Sequence, residues 1–364
     1  MDAANHALVR YLARSSEVHL VTHRASADVS DEPRVRVHRV WRPFSWDSVG
    51  SALLAREGRR VWRALTPRGA YTLVNGGNCR LGAASWVHYV HAAFVPVAAG
   101  SIVRRLKGSL LRRLDLADER VALRAAPVVI CNSRRTRDDV ISRIGVDPSR
   151  AHVVYYGSDA DFVPVDDDER TAAKRAIGCS PERPLVGFVG ALGDRRKAFD
   201  TVFRAWIALC QRPEWDADLL VVGAGAELPA WRRRTREQGL EQRVQFLGRR
   251  FDMPAVFGAL DALVHPARYE AYGLAVRESL CRGVPALVSA SAGVAEHYPP
   301  ELAELLIQDP DSPDELVTRL RAWRCDQARF RRLVEPLSAA LRSRSWDAMA
   351  AEIATLVEGA GSPR

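Results

Sequence analysis

The sequence lacks any apolar run of the about 18–20 residues that a membrane-spanning helix requires. Its first thirty residues also lack the pattern of a secretory signal peptide, because Arg10, Arg14 and Arg24 interrupt them. We therefore expect a soluble protein, or one that attaches to a membrane only at its surface.

Paired cysteines are also missing from the chain. No C-x-x-C motif occurs, and the six cysteines are widely scattered: Cys79, Cys131, Cys179, Cys210, Cys281 and Cys325. This spacing argues against a structural zinc site and against a disulfide framework. No H-E-x-x-H motif occurs either, so we expect no metal site. The pattern is typical of a reducing compartment, and we expect the protein in the cytoplasm.

The composition that is present favours a folded protein of two domains. Its 364 residues exceed the usual size of one hydrophobic core, and 47% hydrophobic with 27% charged residues is ordinary for a folded chain. The net charge is +9, but the basic residues are spread out and are not gathered with aromatic residues in one module. No nucleic-acid partner is therefore expected, whereas an anionic small molecule or an anionic membrane surface suits this charge.

Short apolar strands alternate with helical stretches along the chain, which predicts parallel, doubly wound α/β sheets. A proline and an acidic run at Pro164–Arg170 interrupt the alternation, and we predict an interdomain linker there. The predicted domains are residues 1–163 and 164–345, followed by a terminal helix at 346–364. The predicted strands are Val18–Thr22, Val35–Val40, Tyr71–Asn75, Val87–Val90, Val128–Asn132, Val153–Tyr156, Leu185–Val189, Leu219–Val222, Val244–Leu247, Ala262–Val264, Ala286–Val288 and Leu305–Ile307.

The segment 261–289 carries the strongest functional pattern. It reads as a strand, a tight loop, a helix and a second strand of a parallel sheet. Ligands bind such sheets at the carboxyl ends of the strands, where Glu270 falls. Unpaired amides at Gly273 and Leu274 would face a diphosphate at the start of the helix. Glu278, one turn further, would accept hydrogen bonds from ribose hydroxyls.

This segment resembles the paired-glutamate signature of the retaining GT-B glycosyltransferases called group 1 or family 4. The resemblance covers most of the chain and is strongest over residues 185–290. It implies two Rossmann-like domains facing each other across a cleft. It also implies transfer of a hexosyl group from a nucleotide sugar to a sugar, lipid-linked or other hydroxyl acceptor, with Glu270 positioning the donor sugar. Neither a divalent metal nor another cofactor is expected. The resemblance further implies a role in the synthesis of cell-envelope or extracellular polysaccharide or glycolipid, in the cytoplasm or at the inner face of the cell membrane.

A basic loop follows the first strand of the second domain. Lys197 matches the lysine that contacts the donor phosphates in this family, and a cation there would neutralise a departing diphosphate. Two positions depart from the family pattern, since Ala191 stands where many relatives carry an arginine and Ala198 replaces a glycine. Arg195 or Arg196 would then supply the missing cation.

A glycine-containing run, VVGAGAEL, follows the second strand of this domain. It is not a dinucleotide-binding fingerprint, because Leu228 replaces the third glycine. We predict a structural turn. Further on, the segment around Arg249 resembles the part of the family that contacts the nucleotide base, and Arg249 is a candidate for that contact.

In the first domain, His88 and His91 follow a predicted strand with H-x-x-H spacing, without the further ligands that a metal site needs. In the family, a histidine at the end of this strand lies beside the transferred sugar, and His91 matches it better than His88. A glycine-rich loop follows a neighbouring strand and has the composition of a turn. It is an acceptor-side candidate, because this domain holds the acceptor in the GT-B fold. Its residues are Asn75, Gly76, Gly77 and Asn78.

Two further patterns leave alternatives open. The stretch from Gly100 to Asp115 places leucines on one helical stripe with basic residues around it, which is typical both of a membrane-surface helix and of a helix packed on a sheet. The helix from Trp346 has an apolar packing stripe, and in the family such a helix crosses back to the first domain.

The family's first domain begins with a strand, whereas Met1 leads straight into a helix, so we expect that first strand to be missing.

Other functions compatible with these patterns are a sugar-nucleotide epimerase of the same fold and a catalytically silent scaffold subunit. An epimerase would act on the donor alone. Intact Glu270, Glu278 and Lys197 argue against the scaffold. The residues leave the donor base, the transferred sugar, the acceptor and the oligomeric state open.

Overall fold

A computed structural model describes residues 2–42, 47–95, 102–193 and 195–361. The side chains of residues 2, 47–49, 102–111 and 361 lie outside that description. The chain divides into two units, Met1–Gly157 with Arg344–Arg364 and Ser158–Ser343. These divisions fall a few residues before the predicted boundaries at 163/164 and 345/346.

Helices and strands alternate through both units. The α-helices are α1 (Asp2–Ala13), α2 (Ala27–Ser30), α3 (Asp47–Leu65), α4 (Ile102–Ala125), α5 (Arg134–Asp139), α6 (Asp167–Ala176), α7 (Phe199–Cys210), α8 (Leu228–Glu237), α9 (Met253–Gly258), α10 (Leu274–Cys281), α11 (Pro313–Cys325), α12 (Gln327–Ser343) and α13 (Trp346–Gly361). The strands are β1 (Val18–Thr22), β2 (Val35–Arg39), β3 (Leu73–Asn75), β4 (Ala84–Val87), β5 (Val129–Cys131), β6 (Ala151–Val153), β7 (Leu185–Val189), β8 (Asp218–Val222), β9 (Val244–Gly248), β10 (Ala262–His265), β11 (Ala286–Ser289) and β12 (Leu306–Ile307).

The second unit is built on a six-stranded parallel sheet in the order β12-β11-β10-β7-β8-β9. The central strands β10 and β11 are buried along their whole length, because helices cover both faces of the sheet. One continuous core of aliphatic and aromatic side chains fills the unit, with Trp206, Phe257 and Trp323 among its fully buried members. The strand order reverses between β7 and β10, and such a reversal opens a ligand-binding crevice at the carboxyl ends of the strands.

The strands of the first unit are parallel but form two sheets, β1-β2 and β3-β4-β5-β6. Strand β4 lies three residues earlier than the predicted Val87–Val90, and Trp86 pairs with Ile130 of β5. Apolar residues occur both before and after Val87, so hydrophobicity alone did not locate the strand.

The predicted linker at Pro164–Arg170 is in large part the start of a helix. Asp166 caps α6 in a reciprocal capping box with Glu169, which explains the acidic run in terms of backbone amides that need acceptors. The terminal helix α13 belongs to the first unit, where it packs against α1 and Asp347 pairs with Arg14.

The basic stretch that was weighed as a membrane-surface helix falls within α4. Most of its side chains, from Val103 to Leu110, lie outside the described residues. No helix in the described chain has the length and apolar character needed to cross a membrane.

Candidate active site

Two loops of the second unit meet where its strand order reverses. β7 and β10 are neighbours, with Ala262 opposite Val186. The loop after β7 carries Lys197, and the loop after β10 carries Glu270. Residues that are distant in sequence are thereby brought to the crevice where open α/β sheets bind ligands.

Lys197, Glu270 and His265 form a charged cluster at this place. The Lys197 ammonium pairs with the Glu270 carboxylate. His265 Nε2 lies 2.7 Å from Glu270 Oε2 and 3.4 Å from Lys197 Nζ. The exposed side-chain fractions are 14% for Lys197, 12% for Glu270 and 1% for His265. Because water is largely excluded, these groups act on each other and on a ligand with little screening.

Burial and pairing oppose each other at these titratable groups. Burial alone would raise the pKa of Glu270, but the Lys197 ammonium and the hydrogen bond from His265 outweigh it and hold that pKa well below its ordinary value. Burial and the same ammonium lower the pKa of His265, so its neutral ring donates the Nε2 hydrogen to Glu270. The other ring nitrogen, Nδ1, is buried and has no hydrogen-bond partner among the described residues.

Helix α10 begins at the end of the Glu270 loop and presents unpaired amides. Gly273 is its N-cap, with φ of 112°, and a Cβ at this position would lie 2.9 Å from Val294 Cγ1. Within the described ranges, no acceptor lies against the backbone N–H groups of Gly273, Leu274 and Ala275. These donors and the positive end of the helix dipole favour an anionic group.

Glu278 lies one turn inside α10. Burial, with Asp159 close by, raises the pKa of Glu278 to about 8. No hydrogen bond to its carboxyl group occurs within the described part of the chain. An acceptor without a protein donor at this position suits a ligand that brings hydroxyl groups.

The basic loop is held in a strained backbone conformation. Arg195 and Ala198 have φ of 55° and 52°, in the left-handed region that residues other than glycine rarely adopt. Arg268, from the Glu270 loop, donates to the Arg195 carbonyl oxygen and makes two hydrogen bonds of 2.9 Å with Asp200. Arg196 reaches the Tyr269 carbonyl oxygen at 3.4 Å. Arg268 thus clamps the loop carrying Lys197 to the loop carrying Glu270.

The glycines of VVGAGAEL serve close backbone packing. A Cβ at Gly223 would lie 1.9 Å from the Gly190 carbonyl oxygen, and one at Gly225 would lie 2.1 Å from the Leu192 carbonyl oxygen. The loops after β7 and β8 therefore contact each other through bare backbone, as expected of a structural turn. Arg249 follows β9, is exposed and lies over the ring of Phe251 at 5.9 Å.

The two histidines of the first unit occupy different environments. His88 is part of a buried polar network, with Nδ1 2.5 Å from Tyr156 Oη and Nε2 3.2 Å from Asn75 Oδ1. Asn132 Nδ2 donates to the Tyr156 hydroxyl at 3.0 Å. Burial lowers the pKa of His88 to about 3, so its ring is neutral and structural. The side chain of His91 is 56% exposed, which suits contact with a ligand.

His91 does not end β4 but begins a 3-10 turn, His91–Ala93, four residues after the strand. The 75–78 loop starts at the end of β3, where Asn75 is engaged by His88 and Gly76 donates its backbone N–H to the Trp86 carbonyl oxygen. Asn78 is exposed.

The structure brings in partners that the motifs did not indicate. His265 contacts Lys197 and Glu270, Arg268 clamps the basic loop, and Glu119 contacts His91. His265 is the last residue of β10 and directly precedes Pro266, within the segment 261–289. Its position at the carboxyl end of a strand could have been used to predict it. Arg268 and Glu119 carry no sequence signal of their partners, which lie 68 and 28 residues away.

Comparison with protein families shows matches over both units. Residues 4–162 match the model described as Glycosyltransferase Family 4, and residues 183–326 match the model described as Glycosyl transferases group 1. Together the two matches cover most of the chain.

A curated relative is the D-inositol 3-phosphate glycosyltransferase of Salinispora tropica, 28% identical over 306 residues, which are 78% of this chain and 63% of that protein. The chain spans about half to two thirds of the length of the first curated relatives that it matches.

Two solved structures share the fold. WaaG, a glycosyltransferase involved in lipopolysaccharide biosynthesis, aligns with a TM-score of 0.75 at 19% identity, over 97% of this chain and 94% of that one. Anabaena HepE in complex with UDP and glucose aligns with a TM-score of 0.67 at 18% identity, over 97% and 95%. At these identities the likeness shows the fold, which is GT-B.

Proposed function

Because this chain belongs to the group 1 and family 4 glycosyltransferases, we propose that it transfers a hexosyl group from a nucleotide sugar to a hydroxyl acceptor, with retention at the anomeric carbon. The observation that carries this proposal is the cluster of Lys197, Glu270 and His265, which lies beside the unpaired backbone amides at the start of α10. Positive charge and hydrogen-bond donors thus lie together where the strand order of the six-stranded sheet reverses, between β7 and β10. That arrangement suits a nucleoside diphosphate leaving group.

The residues of the second unit divide the work of the reaction as follows. Lys197 and the amides of Gly273 and Leu274 would stabilise the charge that develops on the departing diphosphate. Glu270, held by His265, would position the donor sugar. Glu278 would accept hydrogen bonds from the ribose hydroxyls.

Arg195, Arg196 and Arg249 complete the proposed donor site. Arg195 and Arg196 lie beside Lys197 in the clamped loop and would add positive charge near the diphosphate. Arg249, exposed after β9, would approach the base. HepE, of the same fold, binds UDP and glucose, which supports a nucleotide-sugar donor for this chain.

Transfer without a divalent metal is part of the proposal. The ammonium of Lys197 and the helix amides supply positive charge at the leaving group, which is the task that a metal ion performs in other enzymes. Turnover should therefore be unchanged after treatment with EDTA. A loss of turnover that Mg²⁺ or Mn²⁺ restores would refute this part.

The first unit would bind the acceptor beside the loop Asn75–Asn78, and His91 would donate a hydrogen bond to a hydroxyl of the transferred sugar or accept one from it. WaaG acts in lipopolysaccharide biosynthesis, which supports a sugar or lipid-linked acceptor of the cell envelope. We propose that the enzyme works at the inner face of the membrane, with α4 as the contact.

The proposal is tested by incubating the protein with UDP-, GDP- and ADP-hexoses and a panel of sugar and glycolipid acceptors, with proton NMR of the products. We expect an acceptor-dependent product that keeps the donor's anomeric configuration. Lys197→Ala should lose it, whereas Arg204→Ala, an exposed change on α7, should not. A new nucleotide sugar formed without acceptor would instead identify an epimerase, and an inverted product would refute retention.

A further inference from the structure

A buried carboxylate holds the turn that carries His91. Glu119 of α4 is 3% exposed. Its Oε1 accepts the His91 backbone N–H at 2.9 Å and lies 3.0 Å from His91 Nδ1, and its Oε2 accepts the Ala92 backbone N–H at 3.3 Å. All three contacts are made with one 3-10 turn. A carboxylate satisfied in this way fixes both the backbone and the ring of the histidine.

Glu119 also supports the glycine-rich loop of the first unit. A Cβ at Gly77 would lie only 2.6 Å from Glu119 Cα, so the loop packs directly on the helix backbone at this residue. The 75–78 loop is the acceptor-side candidate of the first unit, and the His91 turn carries the histidine that we propose to contact the transferred sugar. Glu119 contacts the loop through its backbone and the His91 turn through its carboxylate.

The pairing with Glu119 decides which ring nitrogen of His91 is available. Nδ1 donates its hydrogen to the carboxylate, and no residue in the described ranges bonds to Nε2. The side chain is 56% exposed, so Nε2 is the nitrogen that a ligand meets. A histidine whose Nδ1 is held by a carboxylate keeps one tautomer and one ring orientation.

The charged groups around the His91 ring come from α4. The hydrogen bond with Glu119 raises the pKa of His91 against the effect of burial, Asp115 adds to the increase, and Arg112 opposes it. Arg112 also donates to the His91 carbonyl oxygen at 3.1 Å. The ring of Tyr89 lies edge-on at 5.0 Å.

We infer that Glu119 is a positioning residue of the transfer reaction. It holds His91 so that Nε2 meets a hydroxyl group of the transferred sugar. This inference rests on the proposed function. Glu119 acts through His91 and makes no contact with substrate itself. The neutral ring accepts a hydrogen bond from the hydroxyl at Nε2, and the protonated ring donates one.

The decisive variant is Glu119→Gln, which keeps the size of the side chain and removes its charge. We expect the NMR titration of the His91 ring to move to lower pH, and the corresponding inflection in kcat to move with it. Turnover at saturating donor should fall about 100-fold, the loss typical of a misplaced catalytic group. The donor KM should change much less than kcat, because most of the proposed donor contacts belong to the second unit.

Two more variants complete the experiment. Glu119→Asp keeps the carboxylate at shorter reach and should show a smaller titration shift and recover part of the turnover. If Glu119→Gln does not fold, the same two measurements on Glu119→Asp test the inference. Asp118→Asn is the matched control, since Asp118 is the next residue of the same helix and pairs with Arg80 at the surface. It should match wild type in both measurements.

A wild-type His91 titration and pH profile in Glu119→Gln would overturn the inference, and so would an equal loss of turnover in Asp118→Asn. The titration requires no turnover, so it separates this inference from the proposed function. A wild-type protein that transfers no sugar refutes the proposed function and the catalytic part of the inference. The titration still decides whether Glu119 holds His91.

Discussion

At the scale of single residues, the candidate active site depends on one shared ion pair. Lys197 and Glu270 lie 73 residues apart in the sequence, yet each neutralises the other in a nearly dry environment. Removing one partner of such a pair leaves a buried charge and costs roughly 3–5 kcal/mol of stability. In the proposed reaction, the diphosphate of the donor becomes a second partner for Lys197.

Lys197→Ala should lower kcat about 100- to 1,000-fold, because it removes the cation where negative charge develops, at a loss of roughly 2.7–4 kcal/mol. Glu270→Gln should also lower kcat. Steady-state kinetics at saturating donor measures both, with Arg204→Ala as the control. Turnover like that of wild type in both site variants would remove the proposed site and leave only the fold.

Glu278 should make donor binding depend on pH. Its pKa is raised to about 8, so the carboxylate that accepts two hydrogen bonds from ribose becomes populated only as pH rises through that value. We expect the donor Kd to decrease between pH 6.5 and 9 in calorimetric titrations. Glu278→Gln should bind the donor weakly, and its donor Kd should not show this decrease with rising pH. The same Kd profile in wild type and variant would refute the role.

The same group affects stability without donor. Because the folded protein keeps a proton on Glu278 that the unfolded chain releases above its ordinary pKa, this group lowers the free energy of unfolding as pH rises from about 4.5 to about 8. Glu278→Gln should therefore lose less stability than wild type over that range. The ionised Glu278 carboxylate that favours donor binding therefore lowers the stability of the protein without donor.

Sequence patterns located part of this site. Lys197 and Glu270 stand in motifs, and the structure brings them into contact. Arg268 and Glu119 were missed, because their importance comes from contacts across the fold and not from neighbours in the chain.

At the scale of elements, the loops after β7 and β8 depend on glycines where backbones touch. Gly223→Ala should destabilise the protein by roughly 1–3 kcal/mol or more, because its Cβ would overlap the Gly190 carbonyl oxygen and its φ of 148° disfavours a side chain. Urea unfolding measures the change. Gly359→Ala, in the last turn of α13 where a Cβ would meet no atom within 4 Å, is the control and should stabilise by up to about 1 kcal/mol. Equal effects would contradict the packing account.

Ala198 gives a second prediction for the loop after β7. Its φ of 52° costs an alanine roughly 1–2 kcal/mol that a glycine avoids, and it occupies the N-cap of α7, where glycine is also favoured. Ala198→Gly should raise the midpoint of urea unfolding and leave kcat unchanged. Ala205→Gly, in the interior of the same helix, should lower the midpoint. A lower midpoint for Ala198→Gly would show that the loop is not strained.

Element positions were predictable where turn residues bounded an apolar run. β1 and β7 begin and end where the sequence predicted. The predicted position of β4 was wrong by three residues, because apolar residues occur on both sides of Val87 and pairing with β5 decides where the strand lies. The acidic run before Arg170 was interpreted as a linker, whereas its carboxyl groups cap α6.

At the scale of the whole molecule, the alternation of strands and helices predicted two α/β domains, and the fold is GT-B. Local patterns did not show how the first unit pairs its strands, since the two sheets β1-β2 and β3-β4-β5-β6 result from contacts over long stretches of chain. The roles assigned to the two units, donor binding in the second and acceptor binding in the first, remain proposals. The donor role can be measured without knowledge of the acceptor.

Thermal unfolding of the protein with UDP-, GDP- and ADP-hexoses tests the central claim most directly. Our account predicts that at least one donor stabilises the wild-type chain, by about 2.7 kcal/mol when present at 100 times its Kd. Glu278→Gln should reduce this effect, and Arg204→Ala should leave it intact. No stabilisation by any nucleotide sugar, or equal stabilisation of wild type and Glu278→Gln, would contradict the proposed donor site.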